Sequence, residues 1–258
     1  MIGGGRSGTA RVHAMVTRIK AMPGCRVPDA LVISGAGPYV DPWHDFPATS
    51  ARLADIVRGI GCSVDVNEGV EDALAGPHDA RLLVVNIGNP AEPRPQETLD
   101  AAADGLARHL AGGGCLLGVH SSSTSLTGMR QWPKMLGGRW IRGTSMHPPL
   151  GEFTVSVTDA RHPITQGLTD FSVVDERYSH LEVQTDVMTL YEHYVDGAAH
   201  PLVWAHEYAG GRVVYDGLGH DVGSYAPGHV RLVERAVCWL LQVCSRALPN
   251  RWNAGRRS

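Results

Sequence analysis

Cys115-Leu116-Leu117-Gly118-Val119-His120-Ser121-Ser122-Ser123-Thr124 is the stretch around which the rest of the chain can be read. A short apolar run ends in Gly-Val-His and passes at once into four hydroxyl residues. The run has the length of a buried strand, and Gly112-Gly113-Gly114 supplies the turn that launches it. Gly118 then permits a sharp bend, which predicts His120 at the carboxyl end of a strand, on the lip of a sheet. In open α/β sheets ligands bind at that lip.

Upstream, Ala30-Leu31-Val32-Ile33-Ser34 and Arg81-Leu82-Leu83-Val84-Val85-Asn86-Ile87 are continuously apolar, and Cys62-Ser63-Val64-Asp65-Val66 alternates. Between them a helix capped by Thr49 or Ser50 carries Leu53, Ile56, Val57 and Ile60 on one face and stops at Gly61. A second helix opens at Pro95, with Leu99, Ala103, Leu106 and Leu110 aligned. The first 120 residues therefore read β-α-β-β-α-β or close to it. Strands apolar throughout belong to a parallel sheet covered on both faces, as right-handed crossovers require.

Downstream, the pattern changes. Residues 152–158 alternate cleanly, and 171–174, 187–191 and 201–205 are further short strands. Gly210-Gly211 turns the chain into Arg212-Val213-Val214-Tyr215-Asp216. A last helix bears Val230, Val233, Val237, Leu240, Leu241 and Cys244 at spacings of three and four. No repeat or linker interrupts residues 29–245, which read as a single domain with a decorated sheet. Residues 1–28 read as a disordered or loosely packed leader. Its Gly3-Gly4-Gly5-Arg6-Ser7-Gly8 matches G-x-G-x-x-G only formally, since no strand precedes it. Residues 246–258 form a basic tail.

The 258 residues, 43% hydrophobic and 19% charged, suffice for a full core. A net charge of −3 argues against electrostatic capture by nucleic acid or acidic membranes. Five cysteines without a C-x-x-C pair read as reduced core residues of a cytoplasmic protein. No apolar run approaches a membrane span, and residues 1–24 lack the core of a signal peptide.

Thirteen histidines are many, and several fall where strands end. His44 follows the first strand's loop, His120 ends the fourth, and His220 follows the 212–216 strand. His147 lies just before the alternating strand, and Glu176, Tyr178 and His180 share one segment. Two or three His with a carboxylate make a usual metal or acid/base set. His78, His109 and His200 look like surface residues, and His193 looks structural. Ser121, Ser122 or Ser123 with His220 and Asp221 would have the ingredients of a nucleophilic triad. The hydrolase elbow needs G-x-S-x-G, however, and His occupies its centre here. Hydroxyls such as that of Ser121 also cap helices or bind sugar hydroxyls.

Several segments together resemble the ThuA-like (trehalose-utilisation) family. They are Trp43-His44-Asp45-Phe46-Pro47, Leu117-Gly118-Val119-His120 through Met135-Leu136-Gly137-Gly138, and Ser145-Met146-His147-Pro148-Pro149. To these add Asp159 with His162-Pro163-Ile164-Thr165 and Gly167-Leu168, then Asp175-Glu176-Arg177-Tyr178-Ser179-His180, and Tyr215-Asp216-Gly217-Leu218-Gly219-His220-Asp221. The resemblance runs in order from about residue 30 to about residue 241. It implies an α/β, flavodoxin-like, doubly wound and mostly parallel sheet, similar to class I glutamine amidotransferases, with added antiparallel strands in the second half. His120 falls where those enzymes carry their Cys, so amidotransferase chemistry is not expected. The resemblance implies carbohydrate catabolism on trehalose, a related disaccharide or a keto-sugar, by metal- or His-assisted elimination, isomerisation or hydrolysis at the sheet edge. The alternative is a non-catalytic sugar-binding or regulatory module. On that basis His120, His220 and Glu176 are expected to be catalytic, and His44, His120 and His220 to hold a divalent metal such as zinc. Trp43, His147, Tyr178 and Ser121 are expected to bind the sugar. No nucleotide cofactor is expected, and exposed strands of the second half could pair subunits into a homo-oligomer.

Overall fold

In the computed structural model, which describes residues 28–77 and 79–243, the first half winds as strand and helix in strict alternation. Strand β1 (Ala30–Ser34) leads to helix α1 (Phe46–Gly59), β2 (Val64–Asn67), α2 (Val70–Ala75), β3 (Leu82–Asn86), α3 (Gln96–Ala111) and β4 (Cys115–Val119). The expected β-α-β-β-α-β thus gains a helix. α2 has only six residues, too few to display a 3.6-residue period. The cap of α1 also differs from expectation: Asp45 accepts the Ala48 N–H at 3.0 Å. Thr49 and Ser50 are buried instead, where Asn86 Nδ2 donates to both hydroxyls at 2.9 Å. The leader up to residue 27, with His13 and Cys25, lies outside the described residues, as do His78, Cys244 and the basic tail.

The second half continues through α4 (Trp132–Leu136), β5 (Gly138–Arg139), β6 (Gly151–Val157), β7 (Phe171–Asp175), β8 (Glu182–Val183), β9 (Met188–Val195), β10 (Ala198–Tyr208), β11 (Gly211–Asp216) and α5 (Pro227–Leu241). The main sheet has the order β2-β1-β3-β4-β11-β10-β9-β6-β7, while β5 and β8 form a separate small ladder. The turn before β11 is Ala209-Gly210, both with positive φ, so Gly211 is already paired in the strand. Two positive-φ residues give the hairpin its type I′ form.

Strands β1 to β4 and β11 run parallel, and their side chains alternate between two apolar layers. Leu53, Val57, Leu232 and Val237 from α1 and α5 pack one face against Val32, Val84 and Leu117. Leu74, Leu99 and Leu106 from α2 and α3 pack the other against Ile33, Val85 and Leu116. The sheet is therefore doubly wound, and the crossover direction reverses between β1 and β3. A crevice opens at such a point, beyond the carboxyl ends of the strands.

The antiparallel half bears on the site through direction. From β11 the ladder passes through β10, β9, β6 and β7, each pair antiparallel. Four reversals restore the original sense, so β7 points the same way as the parallel strands. Phe171 of β7 packs closely on Gly228 of α5, which bends this outer part of the sheet back over the helix. The carboxyl end of β7 thereby meets the loop after β11, where Gly219 N–H donates to Asp175 Oδ2 at 2.8 Å.

Candidate metal centre

The chain turns out of β4 at His120 itself, whose φ is +44°, and not at Gly118. Gly118 is required for a different reason: a Cβ there would lie 2.3 Å from Leu136 Cδ1. A left-handed backbone on a non-glycine residue costs about 1–3 kcal/mol and persists only where the surroundings enforce it. Here Tyr215 Oη donates to the His120 carbonyl at 2.9 Å, and Trp132 Nε1 donates to the Ser122 carbonyl at 2.9 Å. Ser121 and Ser125 Oγ both donate to the Ile87 carbonyl at 2.9 Å. The serine cluster thus ties the bend to the end of β3. The Ser121 hydroxyl is engaged there rather than presented to the site, and Asp221 is engaged in capping the Ser224 N–H at 3.0 Å.

Four side chains from four separate segments converge beside this bend. His44 comes from the loop after β1, His120 from the end of β4, Glu176 from the end of β7 and His220 from the loop after β11. One ligand atom of each lies within 4.8 Å of all the others. Glu176 Oε2 is 3.4 Å from both His120 Nε2 and His220 Nδ1, contacts that lack hydrogen-bond alignment. His44 Nε2, His120 Nε2 and His220 Nδ1 are buried without a hydrogen-bond partner among the described residues.

The outer contacts fix which nitrogens carry protons. His120 Nδ1 is 2.8 Å from the Gly217 carbonyl, which can only accept, so Nδ1 donates and Nε2 presents its lone pair inward. His44 Nδ1 is 2.8 and 2.9 Å from the two Asp41 carboxylate oxygens, with the same consequence. Orienting acceptors of this kind accompany metal-ligating imidazoles. Asp175, fully buried, accepts from the N–H groups of Glu176, Gly219 and His220 and so sets the positions of two of the four convergent residues.

Charge follows geometry. Burial pushes the Glu176 carboxyl up, but His120 and His220 outweigh it and hold it well below the usual carboxylate range. Glu176 in turn raises His220 against the effect of burial. His44 is lowered by burial and by His120, against the pull of Asp41. Two inward lone pairs, a third imidazole and one carboxylate suit a borderline divalent cation. Tetrahedral zinc, with bonds of about 2.0–2.1 Å, spaces its ligands about 3.4 Å apart, and two spacings here already have that value. The cluster could hold a metal.

The remaining expected residues fall around this core. Tyr178 is buried and stacks on His120 with ring centroids 4.3 Å apart. His147 is exposed, with Nδ1 3.7 Å from Glu176 Oε1 and 2.9 Å from the Pro148 carbonyl. Trp43, beside His44, is 73% exposed. His200 is buried, contrary to its surface reading, because β10 is longer than residues 201–205 and carries it into the core. Asp41, Asp175 and Trp140 escaped sequence reading. Asp41 carries one local signal, an acid three residues before a loop His, and Asp175 stands beside Glu176 with no residue-type cue to its role.

The sequence model of the family described as "ThuA: Trehalose utilisation" matches residues 29–240. No curated protein sequence matches the chain. Among solved structures, a ThuA-like protein from Parabacteroides merdae is similar with a TM-score of 0.70 at 18% identity, covering 87% of this chain and 94% of that one. A ThuA-like protein from Bacteroides uniformis gives 0.64 at 17%, covering 85% and 95%. A cytoplasmic protein from Salmonella typhimurium gives 0.54 at 14%, covering 83% and 97%. At these identities the likeness establishes the fold alone. No helix among the described residues is long and apolar enough to cross a membrane.

Proposed function

We propose, from the premise that this chain belongs to the ThuA family of trehalose utilisation, that it acts in carbohydrate catabolism on a keto-derivative of trehalose or a related disaccharide. The observation that carries this reading is the convergence of three unpartnered imidazole nitrogens on the Glu176 carboxylate. His44, His120 and His220, closed by Glu176, would hold a divalent ion such as zinc, which when bound supplies a Lewis acid that polarises a carbonyl oxygen.

The chain's own residues then supply orientation and proton transfer. Because His147 Nδ1 donates to the Pro148 carbonyl, its Nε2 carries a lone pair on an exposed ring beside Glu176. That nitrogen removes the acidic proton next to the sugar carbonyl. The electron pair left behind forms the carbon–carbon double bond and expels the glycosidic oxygen, to which protonated His147 returns the proton. Tyr178, whose hydroxyl burial raises far above its ordinary range, stays a neutral phenol and braces the His120 ring. Trp43, exposed beside His44, flanks the sugar, while the buried Tyr178 acts only through the His120 ring. The same reading places the chain in the cytoplasm, with a small-molecule sugar as partner and neither nucleic acid nor membrane. The outermost strands, β2 and β7, offer edges on which copies of the chain could pair.

Elemental analysis of the purified protein, together with turnover of a 3-keto-disaccharide, tests the proposal. A stoichiometric transition metal and turnover abolished by His120→Ala and by His220→Ala are expected. Sugar binding with neither metal nor turnover would favour the binding-module alternative. Turnover unchanged in both variants would overturn the assignment.

A further inference from the structure

Beside the metal centre lies a cleft of about 590 Å³, within the roughly 300–1,000 Å³ range of small-molecule sites. Its walls come from the loop after β3 and from the segments that follow the His120 bend, at the crevice where the winding reverses. Trp140 borders both spaces. It lines the cleft, and its ring meets Tyr178 edge-on with centroids 4.8 Å apart. One aromatic ring, Tyr178, therefore separates Trp140 from His120. None of the centre's ligands lines the cleft, so it is an additional space and not the same one.

The cleft's chemistry is balanced. Arg94 is held in a two-pronged pair by Glu71, at 2.6 and 2.9 Å, which removes it as a free cation. Arg142 is exposed, with no ionic or hydrogen-bond partner among the described residues, and Glu92 on the same rim offsets its charge. Asn89 Oδ1 has no hydrogen-bond partner among the described residues and almost no exposed surface, so a bound molecule's donor reaches it once the side chain turns toward the cleft. The rest includes an indole, the apolar side chains of Leu99 and Leu126, and the uncharged polar side chains of Gln96, Thr124 and Thr127. A phosphate or polyanion would find no net positive field here. A purely apolar ligand would leave Asn89 unsatisfied. The match is a neutral molecule with hydroxyls on its rim and C–H groups on its face.

We infer that this cleft is the second-ring subsite: it takes the neutral leaving sugar of a disaccharide whose reacting ring sits at the metal centre. The ring lies against Trp140, a hydroxyl donates to Asn89 Oδ1, and Arg142 donates to another oxygen. This inference rests on the sugar reading above and narrows it, since a protein built this way discriminates disaccharides from monosaccharides.

The test is calorimetric titration of the full chain with trehalose and with glucose, which requires no turnover. Wild type is expected to bind trehalose about tenfold or more tightly than glucose, the worth of one or two added hydrogen bonds. Thr127→Trp, an exposed position on the cleft wall, is expected to fill the space and bring that ratio to about one without altering glucose affinity. Asn89→Ala should lower the ratio about three- to tenfold, with an unchanged circular-dichroism spectrum to exclude unfolding. A wild-type ratio near one, or a Thr127→Trp chain that loses both sugars equally, would overturn the subsite. A preserved ratio in a protein inert toward every keto-disaccharide would leave the subsite standing and remove the proposed reaction.

Discussion

Two groups of three imidazoles sit on either side of Tyr178, and they behave oppositely. His44, His120 and His220 come from loops at the carboxyl edge of the sheet. His193 and His200 face each other across β9 and β10, with rings 5.4 Å apart, and His180 meets His200 edge-on at 4.5 Å. Both groups are crowded, and both contain ring nitrogens without partners among the described residues. In the first group the nitrogens of His44 and His120 left free by their outer contacts are acceptors that converge with a carboxylate. In the second, His193 Nε2 donates to the Tyr178 carbonyl at 2.9 Å, leaving an acceptor, whereas His200 Nδ1 accepts the His180 N–H at 3.2 Å, leaving a donor. Among the described residues no carboxylate has ligand spacing to that trio. Histidine count therefore does not make a metal site. The orientation of the free nitrogens and a neighbouring acid decide whether a cluster could hold a metal, while the second trio supports the backbone that carries Tyr178.

Removing the acid breaks this contrast most severely. Glu176→Gln should weaken zinc binding by more than about a hundredfold, since losing an outer-shell contact alone costs about 10–100-fold. His193→Gln should leave it within about threefold. Equilibrium dialysis of both variants reads the difference, and equal losses would erase the distinction. Asp175→Asn comes next. It removes the charge that holds the N–H groups of Glu176, Gly219 and His220, and is expected to cost about 1–3 kcal/mol of stability and about tenfold to a hundredfold in metal affinity. Chemical denaturation of the metal-free chain separates the two effects. Asp41→Asn should cost about tenfold in metal affinity with little loss of stability, because the amide oxygen can still accept the Trp43 and His44 N–H groups and only the hold on the His44 ring is loosened.

The chain itself announced the residues that act from strand ends. Gly-rich turns bound the strands that end at His120 and before His220, and the β7 alternation stops at Asp175-Glu176, so topology placed three candidate ligands at one edge. What stayed hidden acts through packing or backbone. Asp175 works on N–H groups, which leave no trace in residue type. Gly118 resembles a hinge in sequence but answers to the Leu136 methyl. Trp140 gains its position only after the Trp132–Leu136 helix turns the chain back, its N–H donating to the Ser123 carbonyl at 2.9 Å. The helix Val70–Ala75 is too short for periodicity, and Pro201 masked the length of β10, so His200 looked exposed.

The smallest expected effect concerns acidity. Burial lowers His193, with His200 adding to it against the Tyr178 carbonyl, and burial with His180 lowers His200 against Asp196. When the folded value lies below the unfolded one, the unfolded chain takes up more protons as pH falls below about 6.5. Stability contributed by keeping these rings neutral is therefore intact above that value and declines as pH falls toward the folded value. His193→Gln keeps a donor for the Tyr178 carbonyl but cannot titrate. Between pH 7.5 and 5.5 the metal-free variant should lose less stability than wild type, read as a smaller shift in the urea midpoint. A wild-type shift no larger than the variant's would mean that His193 is already charged in the fold, and that the second trio resembles the first more than its geometry indicates.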